Sequence, residues 1–167
     1  MKNMTIIALI VLAALFLSPL QASGQVFFMG NPNVGKEAED FTVKSLTGEE
    51  TSLNEFRSGQ KTIVFFWSTW CSHCRGALSN LEKKKKELKG QNIKVMVIDV
   101  GESKEVVSQY LERSKIEREV FLDEDAEVSN LYGVLGIPTF YFIGEDGIVR
   151  KVRNSFPQDL EGSFYGK

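Results

Sequence analysis

The sequence predicts an α/β protein with a mixed central sheet and flanking helices. Three observations carry this. Thr62–Trp67 (TIVFFW) and Ile93–Ile98 (IKVMVI) are apolar runs rich in β-branched and aromatic residues, which suits strands covered on both faces. Between them, from about Cys74 to Leu88, a helix would set Leu78, Leu81 and Leu88 on one side. Strand, helix and strand in that order make a right-handed parallel unit. Thr139–Ile143 and Ile148–Val152 then flank Gly144-Glu145-Asp146-Gly147, the pattern of a hairpin with a four-residue loop, and this adds antiparallel strands.

The first 24 residues differ in character. Lys2 precedes the apolar run Ile6–Leu17, Pro19 breaks it, and the small residues Ala22, Ser23 and Gly24 follow. That order predicts a secretory signal peptide over residues 1–24, cut after Ala22 or Gly24. The run is short beside the ~20 residues a membrane span needs, and an uncleaved signal anchor is the alternative. Either way the domain lies outside the cytoplasm, periplasmic or secreted, where disulfides persist. Residues 25–36 read as a linker, rich in Gly, Asn and Pro around an apolar Val26–Met29 patch. Residues 37–167 make one domain, expected as a monomer.

Within the domain, Phe41–Lys44 and Thr51-Ser52-Leu53 flank a turn at Thr47-Gly48-Glu49, an added N-terminal β-hairpin. Lys83–Lys86 reads as a solvated helix face. Ser103 can cap a helix reaching about Ser114, Glu119–Leu122 is extended, and Asp125 can cap a helix from Ala126 to Tyr132 that stops near Gly133. The formal net charge is −2, with no clustered basic face. Nucleic acid is thereby excluded as a partner, since neutralising phosphates needs grouped Lys and Arg.

Ser68–Arg75 reads STWCSHCR and holds both cysteines and the single histidine of the chain. A disulfide closing so short a loop restrains the unfolded chain little, so the pair is better suited to exchange than to stability. Haem attachment needs a His after the second Cys, where Arg75 stands. A structural zinc site needs four ligands, and a cysteine hydrolase needs a His base elsewhere in the chain. Two-coordinate Cu(I) on the thiolates stays open, as an extracytoplasmic metal chaperone, and so does a thiol peroxidase. No cofactor or resident metal is expected beyond the Cys71–Cys74 disulfide itself.

The motif follows a buried strand and opens a helix. Cys71 then sits at the helix N-terminus, where free N–H groups and the macrodipole favour its thiolate. Cys71 would attack a substrate disulfide, and Cys74, one turn inside, would resolve the mixed disulfide. Trp70 would wall the site and limit solvent access, with plain core packing as the alternative. His73 could donate to the Cys71 thiolate or sit near it as a cation. That would place the potential between those of thioredoxin and DsbA, about −270 and about −120 mV.

With the motif so placed, the chain resembles the thioredoxin superfamily, and more closely the exported TlpA/ResA-like thiol-disulfide oxidoreductases of its redoxin, AhpC/TSA-like branch. The matching stretches are Val34–Phe41, Phe65–Arg75, Tyr132–Thr139 (YGVLGIPT) and Gly144–Gly147, together covering about residues 34 to 152. The resemblance implies a thioredoxin fold and substrates that are protein thiols and disulfides. It implies a membrane or periplasmic redox partner, with cytochrome c maturation among the candidate roles. It also implies a cis Ile137–Pro138 bond beside the cysteines, leaving the Ile137 backbone free to pair with a peptide. Many such relatives are reductants, so the direction of electron flow stays open. Three positions depart from the pattern: Ala77 and Phe65 stand where relatives carry acids, and Ser79 stands where they carry proline. The usual proton acceptor for the resolving cysteine is therefore missing at both places.

Overall fold

The computed structural model describes residues 30–165, so the predicted signal peptide and the Val26–Met29 patch lie outside the described residues. Seven strands form one mixed sheet: β1 (Thr42–Ser45), β2 (Glu50–Ser52), β3 (Lys61–Trp67), β4 (Ile93–Val100), β5 (Phe121–Asp123), β6 (Thr139–Ile143) and β7 (Val149–Arg153), in the order β2-β1-β5-β4-β3-β6-β7. The central β3 pairs in parallel with β4, from Lys61↔Ile93 to Trp67↔Asp99, and antiparallel with β6. Its alternate residues serve two cores. Ile63, Phe65 and Trp67 pack with Val97 under the helices α2 (Ser72–Lys83), α3 (Lys85–Gly90) and α4 (Lys104–Ser114). Val64 and Phe66 pack with Met96 and Ile98 on the other face, under α1 (Leu53–Arg57) and α5 (Glu127–Leu131). Burial on both sides is why these strands read as unbroken apolar runs.

Several elements differ from the sequence expectation. Leu53, expected to end a strand, begins α1. The Ser52 hydroxyl accepts from the Glu55 N–H while the Glu55 carboxylate accepts from the Ser52 N–H, a complete capping box that favours the helix. Ser52→Ala is expected to lower stability by about 1 kcal/mol, read as a shifted urea midpoint at unchanged slope.

The expected single helix 74–88 is two, α2 and α3, parted at Lys84. Adjacent ammonium groups repel along a continuous helix, and at the break Lys84 pairs with Glu87 and Lys85 with Glu82. Leu88 still reaches the core. Asp125 does not cap α5. Asp123 does, accepting the Val128 N–H at 3.0 Å and the Ser129 N–H at 2.8 Å. The closing hairpin loop runs one residue longer, because Ile148 bridges to Glu37.

The linker expected over residues 25–36 is part of the domain from Asn31 onward. Asn31 Nδ2 donates to the Tyr141 hydroxyl at 3.0 Å, Asn33 Nδ2 to the Tyr132 carbonyl at 3.0 Å, and the Gly35 N–H to the Val149 carbonyl at 2.8 Å. Beyond β7, Leu160 and Phe164 enter the core, Phe164 edge-on to Phe142.

Candidate active site

Cys71 is the N-cap of α2, and its Sγ accepts the Cys74 N–H at 3.2 Å. The helix thus begins on a sulfur, in the place where an oxygen-bearing side chain usually receives these N–H groups. The two sulfurs are bonded to each other at 2.13 Å. The pair is unequal. Cys71 is 8% exposed, whereas Cys74 is 0% exposed and packed among Ala77, Leu78 and Leu81.

The segment leading into the motif is fastened from several sides. The Ser68 hydroxyl donates to the Val100 carbonyl at 2.8 Å. The N–H and hydroxyl of Thr69 donate to the Glu102 carboxylate at 2.5 and 2.7 Å. Arg75 Nη1 donates to the Thr69 carbonyl at 3.0 Å. These contacts fix the entry to Cys71 without touching its sulfur.

The Ile137–Pro138 peptide bond is cis and lies beside Cys71, whose Sγ is 3.8 Å from the Ile137 carbonyl oxygen. A disulfide sulfur carries no proton, so in this form the approach is a packing contact; a thiol at the same place could donate. A groove of about 610 Å³ runs past Ser72, His73, Ala77, Ile137, Pro138 and Phe156. Asn154 Nδ2 braces its wall, donating to Thr139 Oγ1 at 2.8 Å.

Cys71, Cys74, Trp70, His73, Ile137 and Pro138 therefore meet at one end of the sheet. One expectation needs correction. Trp70 does not pack in the core: it is 68% exposed, with the exposed Leu135 on the loop before Pro138. His73 faces solvent, and among the described residues no hydrogen bond joins it to either sulfur. In this disulfide form the donor aimed at Cys71 Sγ is the Cys74 backbone N–H.

Phe65 and Ala77 lie buried in the same core as the cysteines, so neither place holds an acid. A carboxyl does stand nearby, on the strand β4 beside β3. Asp99 ends the run IKVMVID and is 0% exposed. It lies in register with Trp67, whose side chain belongs to the core that holds Cys74. Among the described residues, neither Asp99 oxygen has a hydrogen-bond partner of ordinary geometry, though Glu102 lies close by, and the buried Trp67 Nε1 has none. Burial, and then the neighbouring charge of Glu102, push the Asp99 carboxyl up to about 8. The available signal was an acid at the inward-facing end of an otherwise apolar strand.

A family model described as the AhpC/TSA family matches residues 34–152. The thiol-disulfide oxidoreductase ResA of Geobacillus thermodenitrificans strain NG80-2 is 31% identical over 119 residues, covering 71% of this chain and 68% of that protein. ResA of Bacillus subtilis is 29% identical over 127 residues, covering 75% and 70%. Among solved structures, StoA from Bacillus subtilis superposes with a TM-score of 0.61 at 25% identity, covering 74% of this chain and 90% of that one.

Proposed function

The chain belongs to the AhpC/TSA family and is a thiol-disulfide oxidoreductase related to ResA, and from that premise we propose that Cys71 and Cys74 are its reacting pair, acting on protein thiols and disulfides outside the cytoplasm. The reading rests on one observation, the asymmetry of the pair. Cys71 lies at the surface end of α2, on a helix N-terminus and beside a groove, while Cys74 is sealed behind it.

In the reductive direction the Cys71 thiolate attacks a substrate disulfide. One substrate sulfur leaves as thiolate, and a mixed disulfide remains. Cys74 loses its proton and attacks the Cys71 sulfur, the second substrate sulfur leaves with its electron pair, and both substrate thiolates take up protons. The enzyme dithiol ends oxidised and the substrate disulfide reduced; the reverse sequence oxidises a substrate. The Cys74 N–H stabilises charge on Cys71 in either direction. The exposed Trp70 and Leu135 offer apolar contact area to a protein partner beside the groove. Export is supported by the order of Lys2, the Ile6–Leu17 run, Pro19 and the small residues after it.

The test is capture in the native host. Cys74→Ser should accumulate reductant-sensitive adducts through Cys71, on exported protein whose N-terminus follows Ala22 or Gly24. Absence of adducts, together with tight stoichiometric Cu(I) that blocks both thiols, would replace this reading with that of a copper chaperone.

A further inference from the structure

Oxidising the dithiol requires Cys74 to give up a proton, and Cys74 is fully buried, with no solvent-exposed surface through which to pass it. On the proposed reading of the cysteine pair, some buried group must exchange that proton. The sheet geometry selects one. Side chains alternate along a strand, so Asp99 shares a face with Val97, and Val97 lies in the core of Cys74, Leu78 and Trp67. Asp99 is also the registered neighbour of Trp67 across the β3–β4 ladder.

A carboxyl that held this core together would be expected to use its oxygens, as Asp123 does in capping α5. Asp99 is fully buried, and among the described residues its oxygens have no hydrogen-bond partner of ordinary geometry, Glu102 alone approaching them. We propose that Asp99 is the proton-exchanging carboxyl of this site, accepting the Cys74 proton as Cys74 attacks and returning it as the cysteines are reduced.

The step balances. The Cys74 S–H bond breaks and its proton goes to the Asp99 carboxylate. The sulfur electron pair forms the Cys71–Cys74 bond, and the substrate sulfur departs with the pair of the broken mixed disulfide. The departing substrate thiolate takes its proton from water, and the Cys74 proton stays on Asp99 until the cysteines are reduced again.

The surroundings keep the proton affinity of Asp99 near that of a thiol, which suits transfer in either direction. From the loop after β4, Glu102 faces Asp99 with a charge held by Thr69. From α2 come Cys74 and Arg75, the latter turned to the Thr69 carbonyl. From α4, Tyr110 packs on Trp67, with Lys104 and Glu105 in the first turn of that helix. On β5, Asp123 is committed to α5. Glu102 therefore has two attachments, raising Asp99 and fastening the entry to Cys71.

The experiment is rapid mixing of the reduced full-length protein with a small aromatic disulfide, whose two thiolates are released in succession by Cys71 and then by Cys74. In Asp99→Asn the second release should slow by about 10²-fold at pH 7 and lose its inflection near pH 8, with the first release little changed. Glu102→Gln should retain the inflection at lower pH. A difference infrared spectrum of the wild-type protein, oxidised minus reduced, should carry the band of a protonated carboxyl that disappears in Asp99→Asn. Should Asp99→Asn not fold, the Glu102→Gln profile and the wild-type spectrum decide alone. An unchanged second release and pH profile in a folded Asp99→Asn, or no carboxyl band in the wild type, overturns the proposal. Wild-type protein that releases neither thiolate would instead sink the reading of the cysteine pair beneath it.

Discussion

Cys71→Ala is expected to remove disulfide exchange altogether, with insulin reduction falling by on the order of 10⁴-fold or more, because the sulfur that forms the covalent intermediate has no substitute. Cys74→Ala should behave differently. Its Cys71 still stands at the α2 N-terminus, so the first attack proceeds and the mixed disulfide then persists. The two variants share a steady-state phenotype and part in a single turnover: one never bonds to substrate, the other bonds and does not let go. Mass spectrometry of the trapped species separates them. Substrate found on Cys74 rather than Cys71 would reverse the assignment. The burial of the two sulfurs sets this expectation, since an incoming disulfide must align with the attacking sulfur and only Cys71 has surface to offer.

Asp99→Asn is expected to make the oxidised protein more stable at neutral and mildly alkaline pH, by an amount that grows with pH. The Asp99 carboxyl stands at about 8 in the folded chain against an ordinary 3.8. Between those values the folded state holds a proton that the unfolded state has lost. Stability then falls as pH rises, by up to ~1.4 kcal/mol per unit, and levels off above about 8. Below about pH 4 both states are protonated and the penalty vanishes. Asparagine does not titrate, so the gap between variant and wild type should be small near pH 4 and reach several kcal/mol by pH 8. Urea unfolding of both proteins at a series of pH values measures it. A gap independent of pH would mean that Asp99 is ionised in the fold at ordinary acidity. Retaining a destabilising group so close to the cysteines is intelligible if the chemistry uses it.

The parts of this protein legible in its sequence are those fixed by local pattern. Thr62–Trp67 could hardly be anything but a doubly covered strand, and a cysteine pair following such a strand had to open a helix. What escaped depends on partners distant in the chain. Asp99 looks like a strand-ending acid until its register with Trp67 places it in the cysteine core. Thr69 and Glu102 are 33 residues apart, and nothing at either position announces their bond. Trp70 invited a packing role because tryptophan is usually buried, yet the turn into α2 leaves it outside. The α1 capping box is legible in Ser52 and Glu55, but the β-favouring Thr51-Ser52-Leu53 also fits a strand at a period of two, and only the cap separates the two.

The complete burial of Cys74 has a practical corollary. In the reduced protein an alkylating reagent meets one thiol readily and the other only when the α2–β3 packing opens. With Cys71 replaced by serine, the remaining sulfur becomes an intrinsic clock, its labelling rate under native conditions equal to the opening equilibrium multiplied by the rate for a free thiol. Titrating that rate with urea distinguishes a local fraying of the first turn of α2 from cooperative loss of the whole sheet, with no added probe or label.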